Sequence, residues 1–143
     1  GQYAGIVLAA AGLKRLGLSE RIRHIFSTDQ MLPAAGQGAL GLEIRSGRAD
    51  MVQALSFLSH QPTWLAVAAE RAVSRAMGGS CSMPLAAHAE LSGDRLQIRA
   101  AWGEPLENAP LVRAQAEGAV RSLPEAEALG DAVARQLRQQ GAH

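Results

Sequence analysis

Residues 85–102 read LAAHAELSGDRLQIRAAW, and this stretch decides the fold of the C-terminal half of the chain. Apolar and polar side chains alternate on both sides of the turn at residues 92–94, which predicts two antiparallel strands joined by a tight hairpin. A third strand is predicted over residues 111–120, interrupted by Gly118. The apolar positions of the first two strands are Leu85, Ala87, Ala89 and Leu91, followed by Leu96, Ile98, Ala100 and Trp102.

Two amphipathic helices are predicted to flank this sheet. The first begins near Pro62, since proline is compatible with the first turn of a helix, and it ends at Gly78-Gly79. The second begins at Ser122, which forms a capping-box pattern with Glu125. The apolar stripe of the first helix comprises Leu65, Ala69, Ala72, Val73, Ala76 and Met77, with Glu70, Arg71, Ser74 and Arg75 on the opposite side. The order of elements predicts an α+β domain, a three-stranded antiparallel sheet with helices on one face.

Residues 1–58 have a different, interrupted α/β pattern. The apolar run at 5–11, GIVLAAA, predicts a strand buried on both faces, and residues 39–45 predict another strand. Residues 19–26 predict a short helix capped by Ser19, and residues 48–58 predict an amphipathic helix. A buried parallel strand needs a neighbour on each side. We therefore expect the chain to begin within a larger α/β unit.

Composition argues against several classes of partner. The net charge is +1, from 14 basic and 13 acidic residues, and only 3% of residues are aromatic, so neither nucleic acid nor an anionic membrane is expected as a partner. The apolar run is too short to span a bilayer. The core must consist mainly of aliphatic side chains, and the expected large fillers are Trp64, Trp102, Phe26 and Phe57.

Cys81 is the single cysteine and lies in the sequence GGSCS at residues 78–82. One cysteine cannot form an intrachain disulfide, which favours the cytoplasm, and the absence of a resolving cysteine argues against a redox protein. A lone cysteine is usually a small, inert apolar residue, but glycine and serine neighbours indicate an accessible loop. Activation of its thiol would need a nearby cation such as Arg75. The spacing of the four histidines, His24, His60, His88 and His143, indicates no metal site.

Three blocks of sequence resemble the porphobilinogen deaminases (hydroxymethylbilane synthases), in the family's order. They are LAAAGLKRLG at 8–17, LPAAGQGA at 32–39, and AERA at 69–72 followed by Gly79, Cys81, Pro84 and AEL at 89–91. The stretch EAEALG at 125–130 is also similar, so the resemblance covers essentially the whole chain. One departure is the attachment loop, where the family commonly has GGCQVP and residues 79–84 here are GSCSMP.

The resemblance implies an enzyme of porphyrin, heme and other tetrapyrrole biosynthesis. Members condense four porphobilinogen molecules into the linear tetrapyrrole hydroxymethylbilane, with release of ammonia. By resemblance, Cys81 carries the dipyrromethane cofactor through a thioether, and Arg15, Gln37 and Gly38 contact the cofactor. The resemblance implies that Arg15 binds carboxylate groups of the substrate or the cofactor. Arg45 and Arg71 are expected first as ion-pair partners and second as cofactor contacts.

The resemblance also implies a three-domain organisation. Residues 1–38 would end the second domain of a two-lobed, periplasmic-binding-protein-like α/β unit, residues 39–58 would return to the first domain, and residues 59–143 would form the cofactor-attachment domain. The family's catalytic aspartate is expected in an N-terminal half that this chain lacks, so no catalytic residue is assigned here. The isolated chain is expected to be inactive.

The implied partners are porphobilinogen, the growing oligopyrrole and the N-terminal half, in a protein that is usually monomeric in this family. The alternative is a non-catalytic α+β binding or regulatory module that keeps the scaffold without the chemistry. The two hypotheses differ at Cys81, because only the first requires its sulfur.

Overall fold

The computed structural model describes residues 3–80, 82–103 and 110–143. It divides into two compact units, an N-terminal unit of residues 1–31 and a C-terminal unit of residues 32–143. The elements are α1 (Ala10–Arg15), α2 (Ala49–Leu55), α3 (Gln61–Ala76), β1 (Leu85–Ser92), β2 (Arg95–Trp102), β3 (Val112–Ala119) and α4 (Leu123–Gln139), with 3₁₀ turns at Ser19–Arg21 and Ser56–Leu58. None of the helices in the described ranges combines the length and apolar character needed to cross a bilayer.

The sheet is antiparallel with strand order β1-β2-β3. Leu91 lies opposite Leu96 beside the hairpin turn, and Ile98 lies opposite Ala89 on one side and Ala116 on the other. Gly118 pairs with Leu96 and does not interrupt β3. The predicted three-stranded sheet of the α+β domain is therefore confirmed.

Helices α3 and α4 pack against each other and against one face of the sheet. Their contact is unusually close at Gly130 of α4. A Cβ atom added there would overlap the carbonyl oxygen of Ala69 and lie 2.8 Å from the Cβ atom of Ala72. The fully buried residues at the centre of this core include Val73, Leu96, Ile98, Val133 and Leu137. Small residues thus let two helix backbones approach one another above an aliphatic core.

The predicted helix ends are confirmed by their hydrogen bonds. At the start of α4 the Glu125 carboxylate accepts from the Ser122 N–H (3.1 Å) and the Arg121 N–H (2.6 Å). At the end of α3 Gly78 and Gly79 have φ angles of 117° and 66°, and the Gly79 N–H donates to the Ser74 carbonyl (2.8 Å). Positive φ angles favour glycine, so these two residues end the helix as the sequence predicts.

Only one of the four expected aromatic fillers is buried. Trp102 is 3% exposed, whereas Trp64 is 59%, Phe57 79% and Phe26 47% exposed. Trp64 lies on the same face of α3 as the exposed residues Arg71 and Arg75. The buried residues Leu65 and Ala69 lie on the adjacent face. The size of Trp64 predicted burial, but its position on the outer face of α3 leaves it exposed.

Three predicted elements before residue 46 are not formed. Residues 5–9 and 39–45 have no regular structure, although α1 begins at Ala10, and residues 19–26 contain only the 3₁₀ turn at 19–21, which Ser19 does not cap. Ile6 is 78% exposed and Leu40 97% exposed. A strand exists only when another strand satisfies its backbone groups, and a short helix needs a surface to pack on. By contrast, the helix predicted over 48–58 is confirmed as α2 and the 3₁₀ turn that follows it.

Candidate cofactor-attachment site

The loop between α3 and β1 contains the single cysteine. The hydroxyl groups of Ser80 and Ser82 hydrogen-bond to each other at 2.8 Å, and the Met83 N–H donates to the Ser80 carbonyl at 3.2 Å. Cys81 itself lies outside the described residues. Its described neighbours on both sides, Gly79, Ser80 and Ser82, are exposed. The described part of this loop is therefore open to solvent.

The base of this loop is tied to the rest of the domain. Arg75, near the end of α3, forms an ion pair of 2.8 Å with Glu127 of α4. Arg138 of α4 donates to the carbonyl of Ala76 in the last turn of α3. The sequence suggests Arg75 as a cation that could activate the thiol, but its guanidinium is paired with Glu127 instead.

Glu70 is the one charged residue in the described core. Its carboxylate accepts from the Gly36 N–H through Oε2 (2.6 Å) and from the Ala89 N–H through Oε1 (2.8 Å). Nδ1 of His88 lies 3.6 Å from Oε1. Burial raises the pKa of Glu70 above its ordinary value, while the two N–H groups and His88 act in the opposite direction.

Glu70 thereby joins three segments of the C-terminal unit. The segment at 33–38 is held a second time, because the Ala87 N–H donates to the Pro33 carbonyl at 3.1 Å. Ala87 and Ala89 belong to β1, an edge strand whose outward N–H groups would otherwise lack partners. The carbonyl of Pro33 and the carboxylate of Glu70 therefore satisfy two outward N–H groups of the β1 edge.

Gln37 and Gly38, two of the predicted site residues, lie in this attached segment. The Gln37 N–H donates to the Ala34 carbonyl (3.0 Å) and the Ala39 N–H to the Gly36 carbonyl (3.2 Å). Gly36 and Gly38 have φ angles of 77° and 88°, which favour glycine at both positions. Gln37 and Gly38 are exposed. The structure thus presents both residues to solvent on a turn fastened to the domain that contains Cys81.

Arg15, the third predicted contact, belongs to the N-terminal unit. It occupies the last turn of α1, and both its side chain and that of Lys14 are exposed. The end of this helix is closed by the Leu18 N–H, which donates to the Leu13 carbonyl at 2.9 Å. Arg15 is therefore an accessible cation at a helix end.

Arg45 and Arg71 do not have the first role expected of them. Both are exposed, and neither takes part in an ion pair within the described ranges. Water solvates an exposed guanidinium well, so such a residue needs no carboxylate partner. Over the same ranges, no group of three His, Cys, Asp or Glu side chains could hold a metal ion.

Sequence reasoning placed Glu70 on the polar face of α3, and that assignment was wrong. Glu70 is 5% exposed. A signal was available, because Ala66, Val73 and Met77 share its helical row and are all apolar. An acidic residue in an otherwise apolar helical row is expected to be buried, and a buried carboxylate needs hydrogen-bond donors. Here the donors are the backbone N–H groups of Gly36 and Ala89.

These features define a class of protein. This is an α+β domain in which two helices cover a three-stranded sheet, and an exposed helix-to-strand loop contains the single cysteine. Such a domain is suited to carry a covalently attached group. Comparison with known families is specific: residues 1–53 match the family model "Porphobilinogen deaminase, dipyromethane cofactor binding domain", and residues 64–139 match "Porphobilinogen deaminase, C-terminal domain". The chain belongs to the porphobilinogen deaminase family.

Curated relatives agree with this assignment. The porphobilinogen deaminase of Albidiferax ferrireducens is 64% identical over 138 residues, which cover 96% of this chain and 44% of the relative. That of Burkholderia thailandensis is 52% identical (99% of this chain, 43% of the relative), and that of Ralstonia nicotianae is 54% identical (100% and 43%). The chain corresponds to the C-terminal portion of these relatives and spans less than half of their length.

Proposed function

We propose that this chain is the cofactor-carrying C-terminal part of a hydroxymethylbilane synthase. The reaction would join four porphobilinogen molecules head to tail into hydroxymethylbilane and release ammonia. The observation that carries this proposal is the exposure of Ser80 and Ser82, the chain neighbours of Cys81, in a chain of this family. A loop that carries a growing product needs this combination of an anchored base and an accessible tip.

Cys81 would hold the dipyrromethane cofactor through a thioether. The residues present fit that group, since the neighbours of Cys81 are small or hydroxylic and exposed, and the loop base is fixed by Arg75 and Arg138. When bound, the dipyrromethane supplies the pyrrole end to which porphobilinogen is added. The chain itself retains the product and keeps it at one place relative to α3 and β1.

Arg15, Gln37 and Gly38 would bind the cofactor and the oligopyrrole. Porphobilinogen carries acetate and propionate groups, and the planar guanidinium of Arg15 can bind a carboxylate through two parallel hydrogen bonds. Gln37 and Gly38 offer an exposed amide side chain and an accessible backbone for a pyrrole or a carboxylate. Each of these roles uses groups that the structure leaves open to solvent.

Turnover would require polypeptide beyond these 143 residues, because the relatives are more than twice as long. We keep as a proposal the division into the end of a second domain (1–38), a return segment (39–58) and the attachment domain (59–143). The partners would be porphobilinogen, the oligopyrrole and the N-terminal half, in a monomeric protein. The cytoplasmic location remains a prediction from the single cysteine.

The test uses a completed protein, in which the N-terminal part of the Albidiferax ferrireducens relative precedes this chain. Intact mass followed by peptide mapping should find an addition of two pyrrole units on the Cys81 peptide. The control is the 143-residue chain expressed alone, which should keep a free thiol and consume no porphobilinogen. A completed protein that turns over with an unmodified Cys81 would refute the attachment role.

Arg15 is tested in the same completed protein by Arg15→Ala. Loss of a charge-assisted pair with a carboxylate costs about 1.5–3 kcal/mol, which corresponds to a rise in KM for porphobilinogen of about ten- to a hundredfold. Lys14→Ala is the matched control, since Lys14 is the adjacent exposed cation of α1. Equal KM values for the Arg15 and Lys14 variants would rule out a specific role for Arg15.

A further inference from the structure

Glu70 is buried at the junction of α3, β1 and the segment 33–38, and each of its two carboxylate oxygens accepts a different backbone hydrogen bond. Oε2 accepts from Gly36, which is 34 residues earlier in the chain, and Oε1 accepts from Ala89, which is 19 residues later. Burying a carboxylate is costly unless its oxygens are hydrogen-bonded. Both bonds offset the cost of burying Glu70 in the core.

The carboxylate at this position does more than fill space in the core. Its helical row is otherwise apolar, and a leucine there would avoid the desolvation cost but would leave the N–H groups of Ala89 and Gly36 without their acceptor. The bond to Ala89 lies within the packed contact of α3 with β1, whereas the bond to Gly36 reaches the segment 33–38. The bond to Gly36 is therefore the one that the packing of α3 on β1 does not explain.

Gly36 immediately precedes Gln37 and Gly38, which are exposed on the same turn. Fixing the Gly36 N–H therefore fixes the start of that turn, and the Pro33 carbonyl bond to Ala87 fixes the approach to it. The result is a turn attached at two points to the helix and strand that flank the Cys81 loop.

We propose that Glu70 is a positioning residue, which holds the Gly36-Gln37-Gly38 turn in the orientation that binds porphobilinogen and the oligopyrrole. The role rests on the proposed function above. Glu70 does not touch the substrate and acts through Gln37 and Gly38. Loss of its acceptor is expected to weaken binding of substrate while the attachment of cofactor to Cys81 continues.

Glu70→Gln in the completed protein tests this role. Glutamine has the same shape, but its amide nitrogen cannot accept a hydrogen bond, so one of the two backbone N–H groups loses its partner. The matched control is Glu90→Gln. Glu90 is exposed, and in the described part of the chain its carboxylate pairs with the His88 ring (2.9 Å).

Amide exchange, steady-state kinetics and the mass of the Cys81 adduct together separate positioning from folding. In Glu70→Gln we expect amide exchange at the donor that loses its acceptor, Gly36 or Ala89, to become about tenfold faster. Where that donor is Gly36, we expect KM for porphobilinogen to rise about tenfold. Exchange at Ile98 in the core, kcat and the Cys81 adduct should stay near the unmodified values. Glu90→Gln should change none of these. If Glu70→Gln fails to fold or keeps the bond to Gly36, Gln37→Ala at the exposed turn should give the same rise in KM.

Unchanged KM in Glu70→Gln despite faster exchange at Gly36 would overturn the proposal, as would an equal rise in KM in Glu90→Gln. Unchanged KM in Gln37→Ala would also overturn it, because Glu70 is argued to act through that residue. An unmodified completed protein without adduct and without turnover would refute the proposed function, and the positioning role with it. Faster exchange at Gly36 would in that case still establish the hydrogen bond itself.

Discussion

Cys81→Ala in the completed protein is expected to abolish formation of hydroxymethylbilane and to leave the chain at its unmodified mass. The proposed thioether needs the sulfur as the nucleophilic atom, and no other thiol is available, since Cys81 is the single cysteine. The methyl group of alanine keeps the size of the residue close to that of cysteine. Loss of activity would therefore reflect loss of attachment and not a rearranged loop.

The control is Ser80→Ala, which keeps the thiol and removes the hydroxyl bonded to Ser82. This variant should retain the Cys81 adduct and most of its turnover, because the Met83 N–H bond to the Ser80 carbonyl does not depend on the side chain. Turnover in Cys81→Ala at the unmodified rate would favour the alternative, a scaffold that does not use this chemistry. Porphobilinogen consumption and intact mass would be measured on the same preparations of both variants.

Gly130→Ala should have the largest effect on stability. The added methyl group would overlap the Ala69 carbonyl oxygen and crowd the Cβ atom of Ala72, and backbone atoms of a packed helix cannot move aside as a flexible side chain can. Overpacking of this kind costs about 1–3 kcal/mol, against a gain of about 1 kcal/mol from the better helix propensity of alanine. Because the overlap is with backbone, the upper end of this cost applies, and we expect a net loss of about 2 kcal/mol in the free energy of unfolding, measured by urea denaturation of the 143-residue chain.

Gly118→Ala is the matched control for this substitution. A Cβ atom at Gly118 would lie 3.6 Å from Cδ1 of Leu129, which is ordinary van der Waals contact, and its φ angle is not positive. Its free energy of unfolding should stay within about 0.5 kcal/mol of the unmodified chain. The close helix contact would be contradicted if Gly130→Ala were as stable as Gly118→Ala.

The C-terminal unit was largely predictable because its signals are local. The alternation in residues 85–102 reports which side of each strand is buried, and Ser122 with Glu125 marks a helix start within a single turn. The blocks around Arg15, Gln37 and Cys81 likewise indicate the family through short runs of residues. In each case the information lies within a few consecutive positions.

Only the tertiary structure decided where the long-range partners lie. Whether residues 5–11 or 39–45 form strands depends on a neighbouring strand that their own pattern cannot supply. The exposure of Trp64 depends on the face of α3 on which it lies. Glu70 is the clearest case. Its carboxylate accepts hydrogen bonds from residues 34 positions before and 19 positions after it. A pattern of neighbouring residues cannot predict contacts over such sequence separations. The sequence by itself determined the three strands of the C-terminal sheet, the end of α3, the start of α4 and the family, whereas only packing could bring a buried carboxylate to the backbone of a distant turn.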